Sequence, residues 1–150
     1  MKPLYVLIGA FALALTVQKV LTGRLDYRLA GRIAMGAMLV FTAVGHFAFT
    51  QGMAAMVPNF LPMKREVVIA TGALELLFAV GLWIPRYQTF TGWVLVAFFL
   101  LILPANVKAS LENINYQTGE LNGPGVAYLW FRVPLQLFFI AWAYLFTIRT

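Results

Sequence analysis

The chain has 150 residues, 62% hydrophobic and 11% charged, with no cysteine and a formal net charge of +6. Soluble domains run at roughly 45–50% apolar and 25% charged, and a fold this small cannot hide such an excess from water, so the surplus reads as lipid-facing surface. The missing thiols exclude disulfides, dithiol exchange and cysteine-held zinc or iron–sulfur centres, and basic residues scattered among apolar runs fit membrane orientation and no nucleic acid partner.

About 20 apolar residues cross a bilayer as a helix. The first run of that kind is Leu4–Leu21. Lys2 and the Ala12-x-Ala14 pair also suit a signal peptide, but cleavage would require Lys19, Arg24, Arg28 and Arg32 to be translocated, which clustered basic residues resist. A retained helix is therefore expected. The second span is Leu29–Thr50, the third Val67–Ile84, the fourth Phe90–Lys108 and the fifth Val126–Ile148. The pattern predicts an all-α, polytopic membrane helical bundle forming a single transmembrane domain over residues 1–150, without repeat or linker. The basic first hairpin, with Arg86 and Arg149 at the same end, predicts the amino terminus outside and the carboxyl terminus in the cytoplasm, as for a protein of the cell inner membrane.

Between spans two and three, residues 51–65 are too apolar for a free loop and too broken by Pro58 and Pro62 for a helix throughout. Met53, Met56, Phe60 and Leu61 predict a segment lying at the interface or dipping over the bundle. Residues 109–125 are polar and end in the turn sequence Asn122-Gly123-Pro124-Gly125.

Five polar residues interrupt the apolar spans: His46, Glu75, Asn106, Arg132 and Gln136. At about 1.5 Å per residue, His46 falls about 6 Å and Asn106 about 3 Å from the outer ends of their spans. Glu75, Arg132 and Gln136 fall about 12, 9 and 15 Å below theirs. All five share the outer half of the bilayer or its middle, which predicts a polar pocket there. A carboxylate in hydrocarbon costs on the order of 2.5–3.5 kcal/mol even on the lenient insertion scale, so Glu75 should face the bundle interior. Thr71 and Gly72, three to four residues earlier, give that face a hydroxyl and room for close helix approach. Glu75 is expected beside Arg132 or His46. Each residue also has a plain structural reading: Glu75, Asn106 and Gln136 as interhelical hydrogen-bonding groups, His46 as an interfacial residue, Arg132 as a side chain reaching outward to phosphate. One histidine without cysteine is too little for a metal site.

GHF at Gly45–Phe47, MVPNFLP at Met56–Pro62, TGALEL at Thr71–Leu76, GLWIPR at Gly81–Arg86, LPANV at Leu103–Val107 and RVPLQ at Arg132–Gln136 together resemble the DoxX-like family of small integral membrane proteins. The resemblance runs from about residue 29 to the end. It implies a four-helix core, with Leu4–Leu21 as one additional amino-terminal transmembrane helix. It further implies a role near sulfur or thiosulfate oxidation delivering electrons to quinone, near membrane oxidoreductase complexes, or in assembly of other membrane proteins. His46, Glu75, Asn106 and Gln136 lie in the motifs that carry it. Two functions stay open. One is a subunit or accessory of a membrane redox system that binds a quinone or other lipophilic small molecule, with no cofactor of its own on the chain. The other is a non-enzymatic module that binds lipid or assists membrane-protein assembly, which the Met-rich stretch Met53–Met63 favours. A transporter has less support, because no inverted repeat is visible. An oligomer is compatible with each.

Overall fold

A computed structural model describes residues 2–149. The fold is all-α: among these residues there is no strand, and five helical stretches are long and apolar enough to cross a membrane. Helix α1 (Lys2–Thr22) stops at Gly23, whose φ of +69° and N–H bond to the Lys19 carbonyl make a left-handed cap. Three residues after Gly23, Asp26 caps α2 (Tyr27–Ala48) by accepting from the Leu29 N–H at 2.9 Å. The Gln18 side chain accepts from the Asp26 N–H, tying this first hairpin shut.

Helix α2 ends two residues before the expected Thr50, at a bend on Phe49, and the short α3 (Thr50–Met56) follows at once. The Thr50 hydroxyl donates to the His46 carbonyl at 2.7 Å, so a side chain takes up a carbonyl that the bend releases. A non-helical segment then runs past Pro58 and Pro62, with a turn closed by the Leu61 N–H on the Pro58 carbonyl, to Met63, which adopts a left-handed φ of 54° before α4 (Lys64–Trp83). Helix α4 thus begins three residues before the expected Val67, since Lys64 and Arg65 can stay helical while their heads leave the membrane. Pro85 forces its predecessor Ile84 out of the helical region and opens a single 3₁₀ turn. Helix α5 (Gln88–Leu111) outruns the expected Lys108 by three residues. After the polar loop, a 3₁₀ turn at Val126–Tyr128 leads into α6 (Leu129–Ala143), and the chain closes with a π-helical turn, Tyr144–Ile148.

Helix α2 is the hub, packing against α1 on one side and α4 on the other and also touching α6. Its buried face, Ala30, Gly31, Ala34, Met35, Gly36, Met38, Leu39 and Ala43, is rich in small residues, which lets helices approach closely where lipid supplies no hydrophobic drive. Helix α5 pairs with α6 and the π turn; the Thr147 hydroxyl, bonded to the Ala143 carbonyl, lies against Gly92. The core joins Leu7, Met35, Met38, Leu39, Leu82 and Leu95 with an aromatic layer that includes Phe78, Phe98, Phe99, Phe139 and Trp142. Trp142 donates its indole N–H to the Gly31 carbonyl across α2 and α6 at 3.0 Å. Helix α1 is the least buried span and leaves Tyr5, Leu13, Val20 and Leu21 facing outward.

Candidate functional site

Four of the five polar residues form two pairs, and Gln136 bonds a backbone carbonyl. In the first, His46 at the end of α2 meets Glu75 on α4, with Nδ1 3.1 Å from Oε2. Gly72, one turn before Glu75, makes the approach possible: a Cβ there would lie 2.8 Å from the Cβ of His46. The imidazole Nδ1 is also 2.9 Å from the Thr42 carbonyl oxygen. A carbonyl oxygen only accepts, so Nδ1 carries a hydrogen and donates it there. Glu75 is 3% exposed, and its Oε2 is sealed from solvent without any hydrogen bond. Its distance to Nδ1 gives electrostatic contact, while the ring N–H is aimed at Thr42; Oε2 is paired by charge and unpaired by geometry.

Counted from Lys64, Glu75 is about 16 Å along α4, level with His46 near the end of α2.

The second pair joins α5 and α6. Arg132 Nη2 donates to Asn106 Oδ1 at 2.8 Å, and one turn deeper Gln136 Nε2 donates to the Phe99 carbonyl at 2.8 Å. Asn106 and Gln136 are buried and Arg132 is half-buried. Pro104 denies the Leu100 carbonyl its usual partner, and Gln136 bonds the carbonyl just before it, where the ladder is already disturbed. Among the described residues no hydrogen bond or ion pair joins Glu75 to Arg132, so His46 is the expected neighbour that Glu75 meets. Thr71 spends its hydroxyl on the Val68 carbonyl of its own helix at 2.8 Å.

Neither of two surface grooves is lined by these residues. One, about 550 Å³, lies between the proline-broken segment and α5 and is lined by Pro58, Phe60, Leu100, Leu103, Pro104 and Lys108 among others. The other, about 340 Å³, lies between α1 and α6 beside Trp130 and Pro134. Lys108 was legible in the sequence only as a span-end charge. Its ammonium donates to the Ala55 carbonyl, the Val57 carbonyl and Asn59 Oδ1 at 3.0, 2.9 and 3.1 Å, clamping the end of α3 over α5. No sequence period announces such a contact, because two of its three acceptors are backbone atoms and all lie some fifty positions away.

Chemically, the His46–Glu75 pair can hold one exchangeable proton. With Nδ1 protonated, a second proton sits either on the Glu75 carboxyl or on His46 Nε2, and both arrangements keep the pair net neutral. Neutrality is what a low-dielectric interior demands of buried ionisable groups. Among the described residues no cluster of three or more potential metal ligands occurs.

Residues 35–147 match a protein family described as Domain of unknown function (DUF8561), a range that takes in most of α2 and everything through the π turn and leaves α1 outside. No curated protein and no solved structure matches the chain.

Proposed function

We propose a function for this chain, which belongs to the DUF8561 family: it is an integral membrane subunit or accessory of a membrane redox system, and it binds a quinone or similar lipophilic carbonyl compound beside the His46–Glu75 pair. The observation that carries this reading is Glu75 Oε2, buried between α2 and α4 without a hydrogen bond and 3.1 Å from a histidine nitrogen. Packing alone gains nothing from a half-satisfied polar pair, since an unmet buried group costs about 1–3 kcal/mol and well-packed apolar residues would serve the core better. Intramembrane ionisable residues are a functional hypothesis by default. The likeness of the GHF, TGALEL, LPANV and RVPLQ stretches to the DoxX-like family supports the same reading.

In this role the Thr42 carbonyl fixes the imidazole through Nδ1–H, which leaves Nε2 to hold or release a proton toward a ligand. Glu75 balances the ring's charge when both nitrogens are protonated. A bound quinone would supply reversible two-electron, two-proton chemistry, with electrons from a separate redox protein, as the chain has no thiol or nucleotide motif of its own. The amino terminus lies outside and the carboxyl terminus in the cytoplasm, with the protein in the cell inner membrane, because the basic hairpin resists translocation. Native mass spectrometry with lipid extraction, on wild type and Glu75→Gln purified gently, tests the site. A quinone retained by the wild type and lost from a folded variant supports it. An empty wild type, with an equally stable variant, refutes it.

The apolar groove over Pro104 favours a second reading, a non-enzymatic lipid-binding or membrane-protein assembly factor. Deleting the protein should then lower the abundance of partner membrane proteins without altering any turnover. Unchanged partner levels count against it.

A further inference from the structure

The charges of the chain are divided unevenly between its two ends. Lys19, Arg24, Arg28, Arg32, Arg86 and Arg149 share one end with Asp26 as the single acid, which is six cations against one anion. The opposite end sets Lys2, Lys64, Arg65, Lys108 and Arg132 against Glu66, Glu112 and Glu120, which is five cations against three anions. Orientation signals explain the cations of the loops. They do not require a guanidinium to be tucked between helices, and Arg32 is.

Arg32 lies five residues into α2, about 7.5 Å below its start. It is half-buried, and its Nε is sealed without a hydrogen-bond partner. Nη1 donates to Gln88 Oε1 at 2.6 Å, a neutral acceptor on the first residue of α5. The two ion pairs among the described residues are His46–Glu75 and Lys108–Glu112, so no carboxylate balances Arg32. Asp26, the acid of this end, is occupied as the cap of α2. A partly desolvated cation held in place by an amide, with no counter-charge on the protein, is expensive unless something outside supplies the anion. Nη2 makes no hydrogen bond and is not enclosed. Gln88 uses its oxygen on Arg32, which leaves its NH₂ for another acceptor.

We propose that the Arg32–Gln88 junction between α2 and α5 binds the phosphate of an anionic phospholipid at the basic end of the bundle. The planar guanidinium fork suits a phosphate, and its depth matches the boundary between headgroup and hydrocarbon. Exposed Arg28, one turn earlier on the same face, and Arg86 beside the start of α5 add a field that favours anionic over zwitterionic lipid. The site stands apart from the His46–Glu75 pair and does not depend on any function assigned to it.

The test uses the full chain in mild detergent, with native mass spectrometry and thermal unfolding as readouts. The probes are phosphatidylglycerol, phosphatidylcholine of the same acyl chains, and inorganic phosphate. The wild type should retain phosphatidylglycerol at least about tenfold better than phosphatidylcholine and be protected from heat by it alone. Arg32→Gln should lose that preference, whereas Arg86→Gln should keep most of it. If Arg32→Gln fails to fold, Gln88→Ala keeps the charge while releasing its anchor, and should weaken retention severalfold. Equal retention by wild type and both junction variants overturns the site. So does an equal loss in Arg86→Gln, which would mean diffuse attraction, or equal protection by inorganic phosphate, which would mean a free anion and not a lipid.

Discussion

Gly72→Ala isolates the contact on which the His46–Glu75 pair depends. The added methyl would lie 2.8 Å from the Cβ of His46 and 3.4 Å from Cζ of Phe47. Carbon atoms in van der Waals contact sit about 3.5–4.0 Å apart, so the shortfall against His46 is about 0.7 Å. A Cβ cannot swing aside as the tip of a long side chain can; α2 and α4 must separate. Overpacking of that kind costs about 1–3 kcal/mol, and with both atoms anchored to backbone the upper end applies. Replacing glycine inside a helix returns about 1 kcal/mol, which leaves a net loss of about 2 kcal/mol. For a chain this size that corresponds to roughly 4–8 °C in Tm. Gly36→Ala is the matched control on the same interface. Its methyl would meet Nε1 of Trp83 at 2.9 Å, but that indole is half exposed at the far end of α4 and can rotate away. Thermal unfolding in detergent should show Gly72→Ala clearly destabilised and Gly36→Ala near wild type. Equal melting of wild type and Gly72→Ala would refute the close packing of α2 on α4 at His46.

Asn106→Leu keeps the volume and removes the acceptor for Arg132, so it should cost about 1.5–3 kcal/mol as a lost bond to a charged group, read by the same melting assay. Lys108→Gln should loosen the cover over the carboxyl-terminal end of α5. Faster amide exchange across residues 55–63, with α2 and α4 unaffected, is the expected readout, and unchanged exchange would show that the clamp is idle. Gly52→Ala places a methyl against the Tyr116 carbonyl and the Gln117 backbone, atoms that cannot yield, and should detach α3 from the polar loop with a loss of about 2 kcal/mol in stability.

The five long apolar helices were legible in the chain itself, because 62% apolar residues arranged in runs of about 20 leave the backbone one way to satisfy its hydrogen bonds in lipid. Pro58 and Pro62 likewise marked the break after α3, whereas Pro104 and Pro134 lie inside helices. That Glu75 faces inward also followed from its cost in hydrocarbon. Which group meets which did not follow. The pairing of Glu75 with His46, and its separation from Arg132, depends on α2 stopping at Ala48 and on Gly72 admitting the histidine. The partner of Gln136 and two of the three acceptors of Lys108 are backbone carbonyls, identical in every residue and so invisible to any reading of side-chain types. Arg32 looked like one more orientation charge until α5 brought Gln88 to within 2.6 Å of it. Local chemistry is written residue by residue along the chain, whereas contacts between helices depend on rotation and depth, which packing alone decides.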